Sequence, residues 1–138
     1  MSINYVAVLV ASIAEFIIGG IWYMPIFGKA WGEIHEFNKL SKDEQSKAQK
    51  QMAPMLVLQF VITVVTTIVL AKLIVLLPHY SVYALALLAW IGFVVPTQIA
   101  AVLFGGTKPK WIVKKAMIMA GGSLLCLIVA AVILHSKI

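Results

Sequence analysis

The sequence predicts an all-α integral membrane protein: a four-helix bundle with a short interfacial helix between its first and second spans. Composition is the first ground. Of 138 residues, 62% are hydrophobic and 12% charged, and the mean hydropathy is +1.01. A soluble domain carries about 25% charged residues, so this chain lacks the polar surface to cover a water-facing globule of its size. A soluble enzyme, a disordered tail and a free nucleic-acid-binding domain are excluded on that count. Length is the second ground, since four apolar stretches reach the roughly 20 residues needed to cross a bilayer core. The uneven placement of lysine is the third.

The spans fall at about 3–24, 53–77, 82–104 and 111–134, within a single membrane domain of residues 1–138. The first holds one charge, Glu15. No Lys or Arg precedes it, and Trp22-Tyr23-Met24-Pro25 follows where a small-residue cleavage site would stand, so it reads as a retained span rather than a signal peptide. The second span carries one charge, Lys72, the third carries none, and the fourth carries none from Ala116 to Leu134, with Lys114 and Lys115 at its start.

All 11 basic residues are Lys, and the net charge is +6. Without Arg, the best side chain for bidentate phosphate recognition, this is not a nucleic-acid footprint. Lys29, Lys39, Lys42, Lys47 and Lys50 lie between spans 1 and 2, and Lys108, Lys110, Lys114 and Lys115 between spans 3 and 4. Nine lysines thus fall on one side, against Lys137 and an outward-snorkelling Lys72 on the other. Residues 25–52 and 105–115 are expected to be cytoplasmic, with both termini outward, most simply in a bacterial inner (plasma) membrane. Trp22, Tyr23, Phe27, Trp31 and Trp111 are expected to anchor the cytoplasmic interface. Lys29, Lys108, Lys110, Lys114 and Lys115 are expected to meet lipid headgroups.

Segment 25–52 has its own pattern. Phe27, Trp31, Ile34, Phe37 and Leu40 recur at spacings of three or four among charged residues, as in a helix lying in the interface. Ser41-Lys42-Asp43-Glu44 reads as a capping box. A helix should therefore start at about Lys42 and run into span 2, with Pro54 as a candidate kink. Pro78-His79-Tyr80-Ser81 is short enough to make spans 2 and 3 an antiparallel hairpin.

The segment Gly19 to Trp31, with Trp22-Tyr23, Pro25, Phe27-Gly28-Lys29 and Trp31 in order, resembles the LWY-x-P-x-x-FGK-x-W signature of the membrane family called domain of unknown function 1761. Trp90-Ile91-Gly92-Phe93, Pro96-Thr97-Gln98 and Leu103-Phe104-Gly105-Gly106 resemble its second block. That block's loop departs from the family pattern, which has an acid and an Arg where this chain has Gly106 and Lys108. The resemblance covers essentially the whole chain. It implies a four-span plan and supplies no activity and no catalytic residue. Physically, Pro25 should end the first helix, because it lacks the next N–H donor, and Gly28 should allow a tight turn.

Glu15 is the leading candidate for function. Ionisable groups inside a membrane are costly and usually face a protein interior or a cavity. Ala7, Ala11, Glu15 and Gly19 share one i, i+4 stripe, a small-residue face suited to close helix contact. Depth along the spans brings Gln59, Thr63, Gln98 and Ser123 to a similar level, so an ion or substrate pocket of Glu15, Gln59, Thr63, Gln98 and Ser123 is expected. The alternative is that these groups only bond the helices together. Small multidrug exporters also carry a glutamate midway along the first of four spans, and the likeness stops there. The single Cys126 allows no internal disulfide. No nucleophile–base set, His-rich pattern or paired carboxylates appear, so no catalytic residue, metal site or cofactor is expected. Two functions remain open. One is a small transporter or channel coupled through Glu15. The other is a non-catalytic accessory subunit packing against a larger complex or lipid. Membrane lipids and a second copy, in a two-fold dimer, are the expected partners.

Overall fold

A computed structural model describes residues 3–137, the Lys137 side chain excepted, so the sequence expectation for that side chain lies outside the described residues. The described residues contain helices and turns and no strand. Helix α1 (Tyr5–Ile21) is capped by Asn4, whose side chain accepts from the Ala7 N–H at 3.1 Å. It passes into a π turn over Trp22–Ile26, and α2 (Gly28–Ile34) follows. Helix α3 (Lys42–Leu76) is the longest, at about 50 Å for its 35 residues. Helices α4 (Val82–Ala89) and α5 (Val95–Phe104) are joined by a π turn over Trp90–Val94. A 3₁₀ turn over Pro109–Trp111 leads into α6 (Ile112–Lys137).

The expected start of α3 is seen atom for atom. Ser41 Oγ accepts from the Glu44 N–H at 3.2 Å and donates to Glu44 Oε1 at 3.0 Å. The helix continues through Pro54 to Leu76. After it, the Tyr80 N–H reaches the Leu77 carbonyl at 3.1 Å, closing the short turn that Pro78 favours.

Two expectations about the first motif change. Pro25 does not end the helix at once. Its missing N–H leaves the Ile21 carbonyl without its usual donor, and the helix widens, the Phe27 N–H bonding the Trp22 carbonyl at 3.0 Å. The same device recurs before Pro96, where the Val95 N–H bonds the Trp90 carbonyl. Gly28 makes no special turn: it opens α2, and a Cβ there would meet only the Tyr23 carbonyl at 3.5 Å. The interfacial pattern also breaks earlier than expected. Helix α2 stops at Ile34 because Glu36 adopts the left-handed conformation (φ 58°, ψ 20°), and Phe37–Lys39 form a separate 3₁₀ turn.

Packing follows the stripes. In α1 the buried residues are Ala7, Val8, Ala11, Ser12 and Glu15, one face at i, i+4 spacing. That face lies against α6 and α3, while α4 and α5 pack on α6. The pairings Glu15 with Cys126, and Trp22 with Ile118, make α1 and α6 antiparallel. One apolar cluster joins Ala7 and Ala11, Leu70 and Ala71, Leu85 and Ala86, and Ala130, Ala131 and Leu134. It sits at the end where α1 begins and α3 ends. At the opposite end, the first half of α3 stands exposed from Gln51 to Gln59.

Most outward side chains are apolar, among them Val6, Leu9, Ile13 and Ile17 on α1 and Met55, Val57 and Leu58 on α3. A helix that is apolar all round belongs in a protein core or in lipid. Four helical stretches, Tyr5–Ile26, Lys42–Leu76, Val82–Phe104 and Pro109–Ser136, are long and apolar enough to cross a membrane. The chain is thus compatible with a multi-pass membrane protein.

Candidate functional site

Glu15 is 4% exposed and Thr67 only 1%. Thr67 Oγ1 stands 2.6 Å from Glu15 Oε2, as donor, and 2.7 Å from the carbonyl oxygen of Thr63. Its single hydroxyl proton can serve only one of these at a time. The carbonyl can only accept. Both contacts are satisfied together when Glu15 itself carries a proton and donates it to Thr67. No ion pair is found for Glu15 among the described residues. On its other flank, Cys126 Sγ approaches the Glu15 carbonyl oxygen at 3.5 Å, and Ser12 Oγ bonds the Val8 carbonyl at 2.7 Å.

The polar line continues along α3. Thr63 Oγ1 donates to the Gln59 carbonyl at 2.9 Å. Gln59, Thr63 and Thr67 are spaced at i, i+4, i+8, so they share one face. That face grades from the buried Thr67 through the half-buried Thr63 to the exposed Gln59. A stepwise polar stripe therefore leads from the Glu15 carboxyl to the surface.

Gln98 and Ser123 belong to a second group. Ser123 Oγ lies 3.3 Å from Gln98 Oε1 and 3.0 Å from the Ala120 carbonyl, as donor, and accepts from Trp90 Nε1 at 3.2 Å. Trp90 Nε1 also donates to the Ala120 carbonyl at 2.9 Å, and Gln98 Nε2 to that of Met119 at 3.3 Å. The five residues expected to form one pocket are thus divided. Glu15, Thr63 and Gln59 follow one stripe, with Gln59 at its exposed end. Gln98 and Ser123 tie α5 and the Trp90–Val94 turn to α6. Thr67 is the member of the stripe that the expected pocket does not include; besides the Thr63 carbonyl of its own helix it reaches Glu15. Its distance of four from Thr63 was the available signal.

The interface anchors have internal partners. Trp22 Nε1 donates to the Ile118 carbonyl at 2.8 Å, and its ring lies over Gly121 and Gly122. Trp22 packs with Phe27 at 4.7 Å, and Tyr23 with Trp31 at 4.8 Å. Lys110 and Lys114 lie over the Trp111 ring at 5.3 and 5.5 Å, and Lys115 lies 5.7 Å from that of Trp31. Lys108 forms an ion pair with Glu36, and Lys39 stands 3.8 Å from the same carboxylate. Lys29 is exposed. The two lysine-bearing connections therefore meet in space. Lys108 holds the Glu36 carboxyl below its usual range. A lowered carboxyl keeps its charge at neutral pH, so this tie is lost only as pH falls through the lowered value. Among the described residues no three of His, Cys, Asp and Glu converge as a metal set.

Four long apolar helices around a buried carboxyl–hydroxyl pair define the class: an all-helical chain compatible with multi-pass insertion. The chain belongs to the family described as Protein of unknown function (DUF1761), which matches residues 6–135. No curated protein and no solved structure matches it.

Proposed function

We propose that the chain is a small multi-pass transporter or channel, not an enzyme, in which Glu15 is the coupling carboxyl. The observation that carries this is the polar stripe Glu15–Thr67–Thr63–Gln59, running from a buried carboxyl, bonded to Thr67 and matched by no ion pair among the described residues, to the surface of α3. A carboxyl inside a membrane bundle is costly and by default marks an ion or proton path. The lysine asymmetry supports an orientation with residues 25–52 and 105–115 cytoplasmic and both termini outward, in a bacterial inner membrane. A second copy packed on the exposed first half of α3 would cover Gln59 and enclose the stripe between subunits. Gln98 and Ser123 hold the neighbouring helices and take no part in the path. The depth of Glu15, 4% exposed, favours a second reading: a sealed interhelical bond in an accessory subunit of a larger complex.

Proteoliposomes separate the two readings. On the transporter reading, wild type carries protons or a monovalent cation and Glu15→Gln, equally well folded, does not. Folded wild type that moves neither favours the accessory subunit.

A further inference from the structure

A second polar feature lies where the two lysine-bearing connections meet, and it shares no residue with the Glu15 stripe. Helix α5 ends on Gly105 (φ −93°, ψ 17°) followed by Gly106 (φ 76°). This right-handed then left-handed pair turns successive N–H groups to one side, a concavity that receives anions. Only glycine adopts the second conformation freely. The loop borders a cleft of about 260 Å³ shared with the end of α2, and Lys108 and Lys115 line the same cleft. Thr107, also in its lining, has a hydroxyl oxygen closed off from solvent and without a hydrogen-bond partner. An oxygen that water does not reach cannot meet an anion in the open cleft, so Thr107 lines the cleft through its other atoms. Glu36 is the one carboxylate in the lining, and it pairs with Lys108.

We propose that this cleft binds a phosphate group, held by the Gly105-Gly106-Thr107 loop and by Lys108 and Lys115, with Glu36 as the competing anion. An arriving phosphate draws Lys108 from Glu36 and Lys115 from the Trp31 ring. The Glu36 tie between the two connections then opens as the ligand seats. The phosphate comes either from a lipid headgroup or from a soluble anion, and the chemistry of the cleft is the same for both.

The test uses the full chain in neutral phosphatidylcholine nanodiscs. One arm titrates inorganic phosphate; the other adds phosphatidylglycerol to the disc, and ³¹P resonance shifts report binding. Saturable binding of inorganic phosphate identifies a soluble anion, and binding of phosphatidylglycerol alone identifies a headgroup. In either case Lys108→Ala and Lys115→Ala should each weaken binding by roughly five- to tenfold. Glu36→Gln should strengthen it, a gain that a misfolded variant would not give. Lys47→Ala, on the exposed start of α3, should leave it unchanged. Binding in neither arm overturns the proposal, as does binding that Lys115→Ala leaves unaltered.

Discussion

Gly122→Val is expected to destabilise the protein strongly. A Cβ at Gly122 would stand 2.8 Å from Trp22 Cδ1 and 2.9 Å from Nε1, and at Gly121 2.9 Å from Cζ2. The indole cannot simply swing away. It is tied to the Ile118 carbonyl at 2.8 Å and packed against Phe27. Overpacking of this kind costs about 1–3 kcal/mol, and loss of the indole hydrogen bond adds about 0.5–1.5 kcal/mol. Gly19 and Gly20 provide the control, since a Cβ at either meets nothing within 4 Å. Gly19→Ala should be neutral, or stabilising by up to about 1 kcal/mol from helix propensity alone. Equilibrium unfolding in mixed micelles, read by tryptophan fluorescence, ranks the two variants against wild type. Equal stability for Gly122→Val and wild type would mean that the α1–α6 crossing differs from the one described.

Thr67→Val is expected to couple strongly to Glu15→Met, which removes the carboxyl and its hydrogen bond. Valine keeps the shape of threonine and removes the hydroxyl, leaving a buried carboxyl without its side-chain partner. Unsatisfied buried groups cost about 1–3 kcal/mol, whereas hydrogen bonds between membrane helices average only about 0.6 kcal/mol, with a maximum near 1.7. The burial of both partners, 4% and 1% exposed, puts this pair toward the upper end, at about 1.5 kcal/mol. Glu15→Gln alone should be milder, because its amide can still donate to Thr67 Oγ1. A double-mutant cycle over Thr67→Val and Glu15→Met, each of which abolishes the bond, measures the coupling. A value indistinguishable from zero would remove Thr67 from the site.

Much of this molecule is readable from its residues, for identifiable reasons. The spans are legible because length and apolarity suffice to define them, and the α3 start because Ser41 and Glu44 stand at capping-box spacing. The small-residue stripe is legible because Ala7, Ala11 and Glu15 repeat at helical spacing. What escaped the reading depends on contacts between helices. Depth bookkeeping put five polar residues at one level, but depth says nothing of which face each presents. Gln98 turns toward Ser123, Ser123 meets Trp90, and Thr67 rather than Gln59 turns toward Glu15. The π turns escaped as well, since a proline announces a missing donor but not how the helix absorbs it. Trp22 reads as an interface anchor on its aromatic type alone. Only the bare Gly121-Gly122 backbone, 99 and 100 residues further on, lets it lie inward.

The measurement closest to the central claim is infrared spectroscopy of the Glu15 carboxyl in reconstituted protein, wild type minus Glu15→Gln, across the pH range in which the helices persist. A coupling carboxyl must both hold and release its proton. The account predicts a carboxylic-acid band that is absent from Glu15→Gln, shifted by Thr67→Val, and lost and regained reversibly with pH. A band that never titrates while the protein stays folded, or no acid band at any pH, would contradict it.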